Sequence, residues 1–117
     1  MIILTGASGG IGRAILQPLA TLDTVVAIYR STRPEVSDPS RITLQQLDLS
    51  REREVAEFAA SMKGRGRRIT LIHAAAQSRN NLAAQFKTED WNEVIDVNLR
   101  GNFLLTRELL MPMIQEK

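Results

Sequence analysis

The feature that most restricts how this chain can fold is a glycine-rich run between a short apolar segment and a helical pattern. Residues 2–4, Ile-Ile-Leu, predict a buried strand, and residues 5–12 read Thr-Gly-Ala-Ser-Gly-Gly-Ile-Gly. A helical pattern follows over residues 11–22. In this strand–turn–helix setting the run is typical of a phosphate cradle, because the first helical turn presents unpaired N–H groups to an anion. The alternative is a tight turn without a ligand.

The remainder of the chain alternates between short apolar runs and helical patterns. Further strands are predicted at residues 24–29, 42–47 and 69–74. Helices are predicted over residues 11–22, after an N-cap at Ser50, after an N-cap at Thr88, and over about residues 102–115. This alternation favours βαβ units. We therefore expect an α/β fold: the first four strands, with their helices, of a Rossmann-like doubly wound parallel sheet whose later strands are absent from this chain.

Several helical side chains have predicted positions. The buried face of the first helix is predicted to consist of Ile11, Ala14, Ile15, Leu19 and Leu22. We expect Pro18 and Pro112 to kink their helices, because proline lacks an N–H and clashes with the preceding turn. Gly101 is expected to mark a bend, and Trp91 to face inward.

Composition excludes several classes of protein. The chain has 117 residues, 44% of them hydrophobic, which suits a single globular domain. It has no cysteine and one histidine, so we expect neither a disulfide scaffold nor a metal site. No apolar run approaches the roughly 18–20 residues of a membrane span, and no secretory signal precedes the first strand. We expect a cytoplasmic protein without a membrane partner.

The basic residues are concentrated in one short run, although the net charge is only +2. Residues 63–68 read Lys-Gly-Arg-Gly-Arg-Arg and contain no aromatic side chain. Nucleic-acid surfaces usually carry a broader basic stripe, often with aromatic residues. We interpret the run as a solvated loop and expect no nucleic-acid partner. Nucleic-acid binding through this run is retained as an alternative hypothesis.

The end of the second predicted strand indicates which dinucleotide would bind. Sites that prefer NAD usually place an acid there, about 20 residues after the glycine loop, to hold the ribose 2′-OH. Here Tyr29 and Arg30 occupy that place, and no acid lies between Asp23 and Glu35. Because a guanidinium pairs well with a 2′-phosphate, we expect NADP, with NAD the less favoured cofactor. The alternative for Arg30 is a solvated turn residue.

Three further motifs follow the glycine loop in order. They are Asp48-Leu49, Leu-Ile-His-Ala-Ala-Ala at residues 71–76, and Asp-Val-Asn-Leu-Arg-Gly at residues 96–101. With them the chain resembles the short-chain dehydrogenase/reductase family over all 117 residues. The resemblance implies a Rossmann fold, a nicotinamide cofactor and hydride transfer to or from a carbonyl or alcohol.

The resemblance also implies roles for individual residues. The pyrophosphate and ribose would be bound by Thr5, Gly6, Ser8, Gly10, Ile11 and Gly12. Asp48 and Leu49 would border the adenine, and Ala75 and Ala76 would form part of the cofactor wall. Asn98 corresponds to the active-site asparagine of the family, which shapes its helix and helps to hold a water in a proton relay.

The chain departs from the family pattern at two places. The fourth-strand motif is usually Asn-Asn-Ala-Gly, so His73 replaces an amide and Ala76 a glycine. We expect His73 to be a buried residue at the strand end rather than a catalytic group. The glycine run fits both the short family form, through Gly10, and the extended form, through Gly9; the other motifs favour the short form.

The catalytic acid of the family is missing from these residues. The family uses a Tyr with a Lys four positions later, together with a Ser, but the only tyrosine here is Tyr29. We therefore interpret residues 1–117 as the N-terminal NAD(P)-binding portion of a single-domain NADP-dependent reductase, inactive alone. Its expected partners are a small carbonyl or alcohol substrate and, at full length, a second copy of itself. The alternative is a non-catalytic NADP-binding module or sensor.

Overall fold

The computed structural model describes all of residues 1–117 and contains one parallel four-stranded sheet. The strands are β1 (Ile2–Leu4), β2 (Val25–Tyr29), β3 (Ile42–Gln46) and β4 (Thr70–Ile72). Their order in the sheet is β3-β2-β1-β4, and every neighbouring pair is parallel. This is the order of the first half of a doubly wound sheet, so the predicted Rossmann-like fold is confirmed.

Helices connect the strands and continue after the last one. They are α1 (Gly10–Leu22), α2 (Glu52–Ser61), α3 (Thr88–Ile95) and α4 (Asn102–Gln115). A 3-10 turn, Ala83–Gln85, precedes α3. A π-helical turn, Asp96–Gly101, joins α3 to α4, so that the chain is helical without a break from the start of α3 to the end of α4.

The core lies on both faces of the sheet. Ile3, Val26 and Ile28 pack with buried side chains of α2 and α4 on one face. Leu4 and Ala27 point to the opposite face and pack with α1. Strands β1 and β2 are therefore covered on both sides, and each has a continuous apolar sequence for that reason.

Three of the four strands are shorter than predicted. Strand β1 has the predicted bounds, β2 begins one residue later and β3 ends one residue earlier. The largest difference is in β4, which covers only residues 70–72 of the predicted 69–74. Beyond it, the backbone N–H groups of Ala74 and Ala75 donate to the Thr5 hydroxyl instead of to a neighbouring strand.

The predicted buried face of α1 is wrong at Ile11, Ala14 and Leu22. Ile11 is 72% exposed and Leu22 is 76% exposed, and Ala14 is exposed as well. The buried residues of the helix are instead Gly12, Leu16 and Ala20. A Cβ on Gly12 would lie 1.9 Å from the carbonyl oxygen of Gly6, so this position has to face the loop. That contact sets the rotation of α1 about its axis and turns Ile11 outward.

Both predicted side-chain N-caps are also wrong. Helix α2 begins at Glu52, after Arg51, and the Ser50 hydroxyl donates to Asp48 Oδ1 at 2.7 Å. The Ser50 backbone N–H donates to the same oxygen at 3.0 Å, which forms a local turn that competes with the helix cap. Thr88 is the first residue of α3 and makes no capping hydrogen bond.

One further expectation differs from the structure, since Trp91 is 60% exposed rather than inward. Pro18 and Pro112 both lie inside helices that continue past them. Gly101 is buried inside the continuous helical run, where a Cβ would lie 3.0 Å from the Cβ and from the carbonyl oxygen of Leu49. Close packing of the helix against the Leu49 loop accounts for this glycine.

The substitution Gly101→Ala is expected to lower the free energy of unfolding by about 1–3 kcal/mol, because the added methyl group has to displace Leu49. Urea denaturation would measure the loss as a lower midpoint, and the slope of the unfolding free energy against urea concentration should stay unchanged. A gain in stability, as expected for Gly→Ala in an unobstructed helix, would contradict the close contact.

Candidate functional site

A cleft of about 230 Å³ opens where the carboxyl ends of β1, β2 and β4 meet. Strands β2 and β4 lie on opposite sides of β1, so the strand order reverses here. In open α/β sheets, ligands bind in the crevice at this reversal. The predicted cofactor-binding residues that line the cleft are Gly6, Ser8, Arg30, Asp48, Leu49, Ala75 and Ala76.

The other predicted site residues lie around this cleft rather than on its walls. Thr5 is fully buried beneath it, and its Oγ1 accepts the N–H groups of Ala74 and Ala75, both at 3.1 Å. This hydroxyl ties the end of β1 to the segment that leaves β4. Gly10 and Ile11 are exposed at the start of α1, whereas Gly12 is buried.

Two steric requirements fix the conformation of the glycine loop. Gly6 has a φ of +67°, in the left-handed region that favours glycine, and a Cβ there would lie 2.5 Å from the Ala75 nitrogen. Gly12 packs against the Gly6 carbonyl, as described above. The packing of the protein itself accounts for both of these glycines.

Gly10 differs, because nothing in the protein requires a glycine there. A Cβ at Gly10 would meet no atom within 4 Å. The first turn of α1 carries no acidic residue, and Gly9, which precedes the helix, provides no side-chain cap. A bare helix N-terminus of this kind attracts an anion, and a glycine lets that anion approach the backbone. The loop therefore fits a phosphate group.

Asp48 is held as an acceptor at the cleft wall. Its Oδ1 accepts both the backbone N–H and the hydroxyl of Ser50. Burial acts to raise the pKa of the Asp48 carboxyl, but the Ser50 hydrogen bonds and the charges of Arg30 and Arg51 outweigh it and hold this pKa below its usual value. At neutral pH the carboxylate can accept a hydrogen bond from an amino group in the cleft.

Arg30 reaches across the cleft from the end of β2. With the Gln77 carboxamide turned so that its oxygen faces the guanidinium, that oxygen accepts two N–H groups of Arg30, at 2.8 and 3.2 Å. Sequence reasoning missed Gln77, although it directly follows the fourth-strand motif. Two other basic residues are engaged nearby: Arg33 donates to the Tyr29 hydroxyl at 3.3 Å, and Arg13 to the Ser8 carbonyl at 3.1 Å.

Asn98 fixes the backbone of Gln77 from both sides. Its Oδ1 accepts the Gln77 N–H at 2.7 Å, and its Nδ2 donates to the Gln77 carbonyl at 2.8 Å. Asn98 lies in the π-helical turn, an irregularity that often marks a functional site. The asparagine thus joins the helical layer to the segment that forms one wall of the cleft.

His73 is not the buried residue that the sequence predicted. It is exposed beyond the end of β4, because the chain has already left the sheet, and its Nε2 lies 2.9 Å from the Thr106 hydroxyl of α4. Partial burial of the ring lowers the pKa of His73, and the neighbouring Asn102 side chain acts on this pKa in the opposite direction.

The structure contains neither a cluster of metal-ligating side chains nor a membrane-spanning helix. No group of three or more His, Cys, Asp or Glu side chains is placed to hold a metal ion. None of the helices has both the length and the apolar character needed to cross a lipid bilayer.

The sheet order and the glycine loop at its reversal define an α/β domain of the Rossmann type. The family model described as short chain dehydrogenase matches residues 1–117, and the chain belongs to this family of oxidoreductases. The resemblance found in the sequence is thereby confirmed.

Individual relatives agree with this assignment. The chain is 31% identical over 120 residues to a 3-oxoacyl-(acyl-carrier-protein) reductase of Rickettsia bellii, covering 98% of this chain and 48% of that protein. It is also 31% identical over 122 residues to nodulation protein G of a Rhizobium species, covering 98% of this chain and 49% of that protein. The chain spans about half the length of the curated relatives it matches.

Solved structures show the same fold. A short chain dehydrogenase from Leptospira borgpetersenii with bound NAD+ superposes with a TM-score of 0.84 at 27% identity, covering 94% of this chain and 44% of that chain. Serine dehydrogenase from Escherichia coli has a TM-score of 0.79 at 27% identity, covering 98% of this chain and 57% of that chain.

The substitution Thr5→Val is expected to destabilise the protein by about 1–3 kcal/mol, because it leaves two backbone N–H groups beside the cleft without their acceptor. Thr5→Ser is the matched control, since it keeps the hydroxyl and should retain most of the stability. Thermal and urea unfolding of both variants would measure the difference. Equal stability of the two would show that the hydroxyl does not hold this junction.

Proposed function

We propose that this chain binds the dinucleotide of an NADP-dependent oxidoreductase that transfers a hydride between nicotinamide and a small carbonyl or alcohol substrate. The observation that carries the proposal is the open glycine at position 10, on an uncapped helix N-terminus beside the cleft. The family assignment supports a nicotinamide cofactor, because the Leptospira relative described above holds NAD+.

In this proposal the glycine loop binds the pyrophosphate. The N–H groups at Gly10 and Ile11 face the anion, while Gly6 and Gly12 let the loop close and Ser8 contributes a polar group at its edge. Thr5 lies beneath the loop, and its hydroxyl holds the segment after β1 to the segment after β4. The nicotinamide ring of the bound cofactor would supply or accept the hydride.

The adenine is assigned to the side of the cleft that Asp48 and Leu49 line, and the cofactor wall to the side opposite. Leu49 offers an apolar surface, and the ionised Asp48 accepts a hydrogen bond from the adenine amino group. Ala75 and Ala76 form the facing wall, where small side chains leave room for the cofactor. Asn98 is proposed as the active-site asparagine, and it keeps that wall in place through Gln77.

Arg30 is proposed to select NADP over NAD. Its guanidinium hydrogen-bonds a neutral carboxamide, a weaker partner than a phosphate. Binding of NADP would exchange the Gln77 oxygen for the charged oxygens of the 2′-phosphate. NAD would break the same contact without providing a charged replacement.

Proton transfer needs a group that residues 1–117 do not supply in this proposal. Reduction of a carbonyl requires an acid close to the developing alkoxide. Residues 1–117 contain a single tyrosine, Tyr29, which is buried in β2 and is not followed by a lysine four positions later. The proposal therefore assigns cofactor binding, and not the catalytic acid, to these residues.

The substitution Gly10→Ala is expected to weaken NADPH binding at least tenfold, an affinity loss of about 1.4 kcal/mol or more, because a methyl group would fill the space of the phosphate. The free energy of unfolding should change by no more than about 0.5 kcal/mol, since that methyl group contacts nothing in the protein. Calorimetric titration of the full-length protein with NADPH, beside urea unfolding, would measure both. Gly12→Val is the matched control, expected to lose stability and binding together. Unchanged affinity in Gly10→Ala would refute the phosphate cradle.

The substitution Arg30→Asp is expected to weaken NADPH by about 10- to 100-fold more than NADH, because it replaces a charged partner of the 2′-phosphate with a repelling carboxylate. Dissociation constants for both cofactors at one salt concentration would test this. Gln77→Ala is the control: it also breaks the contact across the cleft but leaves Arg30 free, so NADPH affinity should not fall. An equal loss of both cofactors in Arg30→Asp would exclude the 2′-phosphate role.

A further inference from the structure

The segment that leaves β4 is joined to the helical layer at two places. At one end, Asn98 holds the Gln77 backbone through two hydrogen bonds. At the other end, the His73 ring meets Thr106, with 2.9 Å between Nε2 and Oγ1. Residues 73–77 therefore run antiparallel along residues 98–106, and the cofactor wall proposed above lies between the two junctions.

Asn102 lies between these junctions, on the helical side. Its Nδ2 donates to the Asn98 carbonyl at 3.0 Å, so the carboxamide supports the π-helical turn that carries Asn98. Its Oδ1 is buried and has no hydrogen-bond partner. Buried acceptors in folded proteins nearly always have a hydrogen-bond donor, so we expect a donor close to this oxygen.

The His73 ring is the group placed to supply that donor. Asn102 and Thr106 are four residues apart on α4 and lie on the same face of the helix, so the ring that meets Thr106 also lies beside Asn102. Because Nε2 faces Thr106, Nδ1 is the remaining ring atom that can bond to Asn102. A neutral ring with its hydrogen on Nδ1 satisfies every group at once: the Thr106 hydroxyl donates to Nε2, and Nδ1–H donates to Asn102 Oδ1.

We propose that His73 is a positioning residue, whose neutral Nδ1–H form orients the Asn102 carboxamide. Through Asn102 it supports the π-helical turn and the two hydrogen bonds that Asn98 makes to the Gln77 backbone. His73 touches neither cofactor nor substrate in this role. The inference rests on the proposed function only in that Asn98 and residues 75–76 face the cofactor. The hydrogen-bond network itself does not depend on that function.

The tautomer of His73 is the direct test. His73 is the only histidine of residues 1–117, and its ring nitrogens can be assigned in the full-length protein by comparison with His73→Gln. In a ¹⁵N-correlated NMR spectrum at neutral pH, we expect a protonated Nδ1 and an unprotonated Nε2. A ring protonated on Nε2 alone would place two acceptors face to face at Asn102 and would overturn the proposal.

Two variants test whether the ring acts on Asn98. His73→Asn keeps a donor close to the position of Nδ1, whereas His73→Leu removes it. We expect hydrogen exchange at the Gln77 N–H to rise about tenfold in His73→Leu and to stay near the wild-type rate in His73→Asn. Global unfolding measured beside it shows whether the change is local. Equal exchange in both variants and the wild type would refute the positioning role.

Cofactor affinity separates this inference from the proposed function. We expect NADPH binding to weaken about three- to tenfold in His73→Leu, with His73→Asn restoring it. If the wild-type protein binds no NADPH, the proposed function fails, while the tautomer and exchange results still decide the role of His73. If wild-type NADPH binding is normal and His73→Leu binds equally well, the link from His73 to the cofactor wall is excluded.

Discussion

The contact between Gly12 and the Gly6 carbonyl is the constraint on which the site depends. A side chain at Gly12 would place its Cβ 1.9 Å from that oxygen, so the helix can approach the loop this closely only with glycine at this position. The contact turns Leu16 and Ala20 onto the sheet and leaves Ile11 exposed. The N-terminus of α1 consequently points into the space beside the cleft, with its first N–H groups free of a capping side chain.

A second constraint acts across the sheet, at Thr5. Parallel strands end at the same edge, but nothing in the sheet itself holds the chain segments beyond that edge. The Thr5 hydroxyl accepts two N–H groups from the segment after β4 and so continues the pairing of β1 with β4 past the last backbone hydrogen bond. The glycine loop and the Ala75 wall therefore keep a fixed separation, which a bound dinucleotide would need.

The sequence was sufficient for the sheet and most of the cleft but not for the contacts between elements. Short apolar runs separated by helical patterns predict parallel strands, because β1 and β2 are buried on both faces. The face of α1 could not be predicted from apolar spacing, since a steric contact of Gly12 decides it. Ser50 has the right residue type for a helix cap, yet Asp48 lies two residues before it and binds it first. Both errors come from local interactions that outweigh an average preference.

The missed contact of Arg30 with Gln77 has a different origin, because the two residues are distant in sequence and meet only through the order of the strands. It also bears on how one side of the cleft could suit two different groups of the proposed cofactor. Arg30 lies near the ionised Asp48 and lowers its pKa, so a positive and a negative group share one wall. In the proposed NADP complex, the adenine amino group would need the acceptor and the 2′-phosphate would need the donor. Since Ser50 holds the carboxylate in place, that phosphate could draw Arg30 away without leaving Asp48 unpaired. The neutral Gln77 carboxamide is then the only partner that gives up a contact, and Asn98 still holds its backbone.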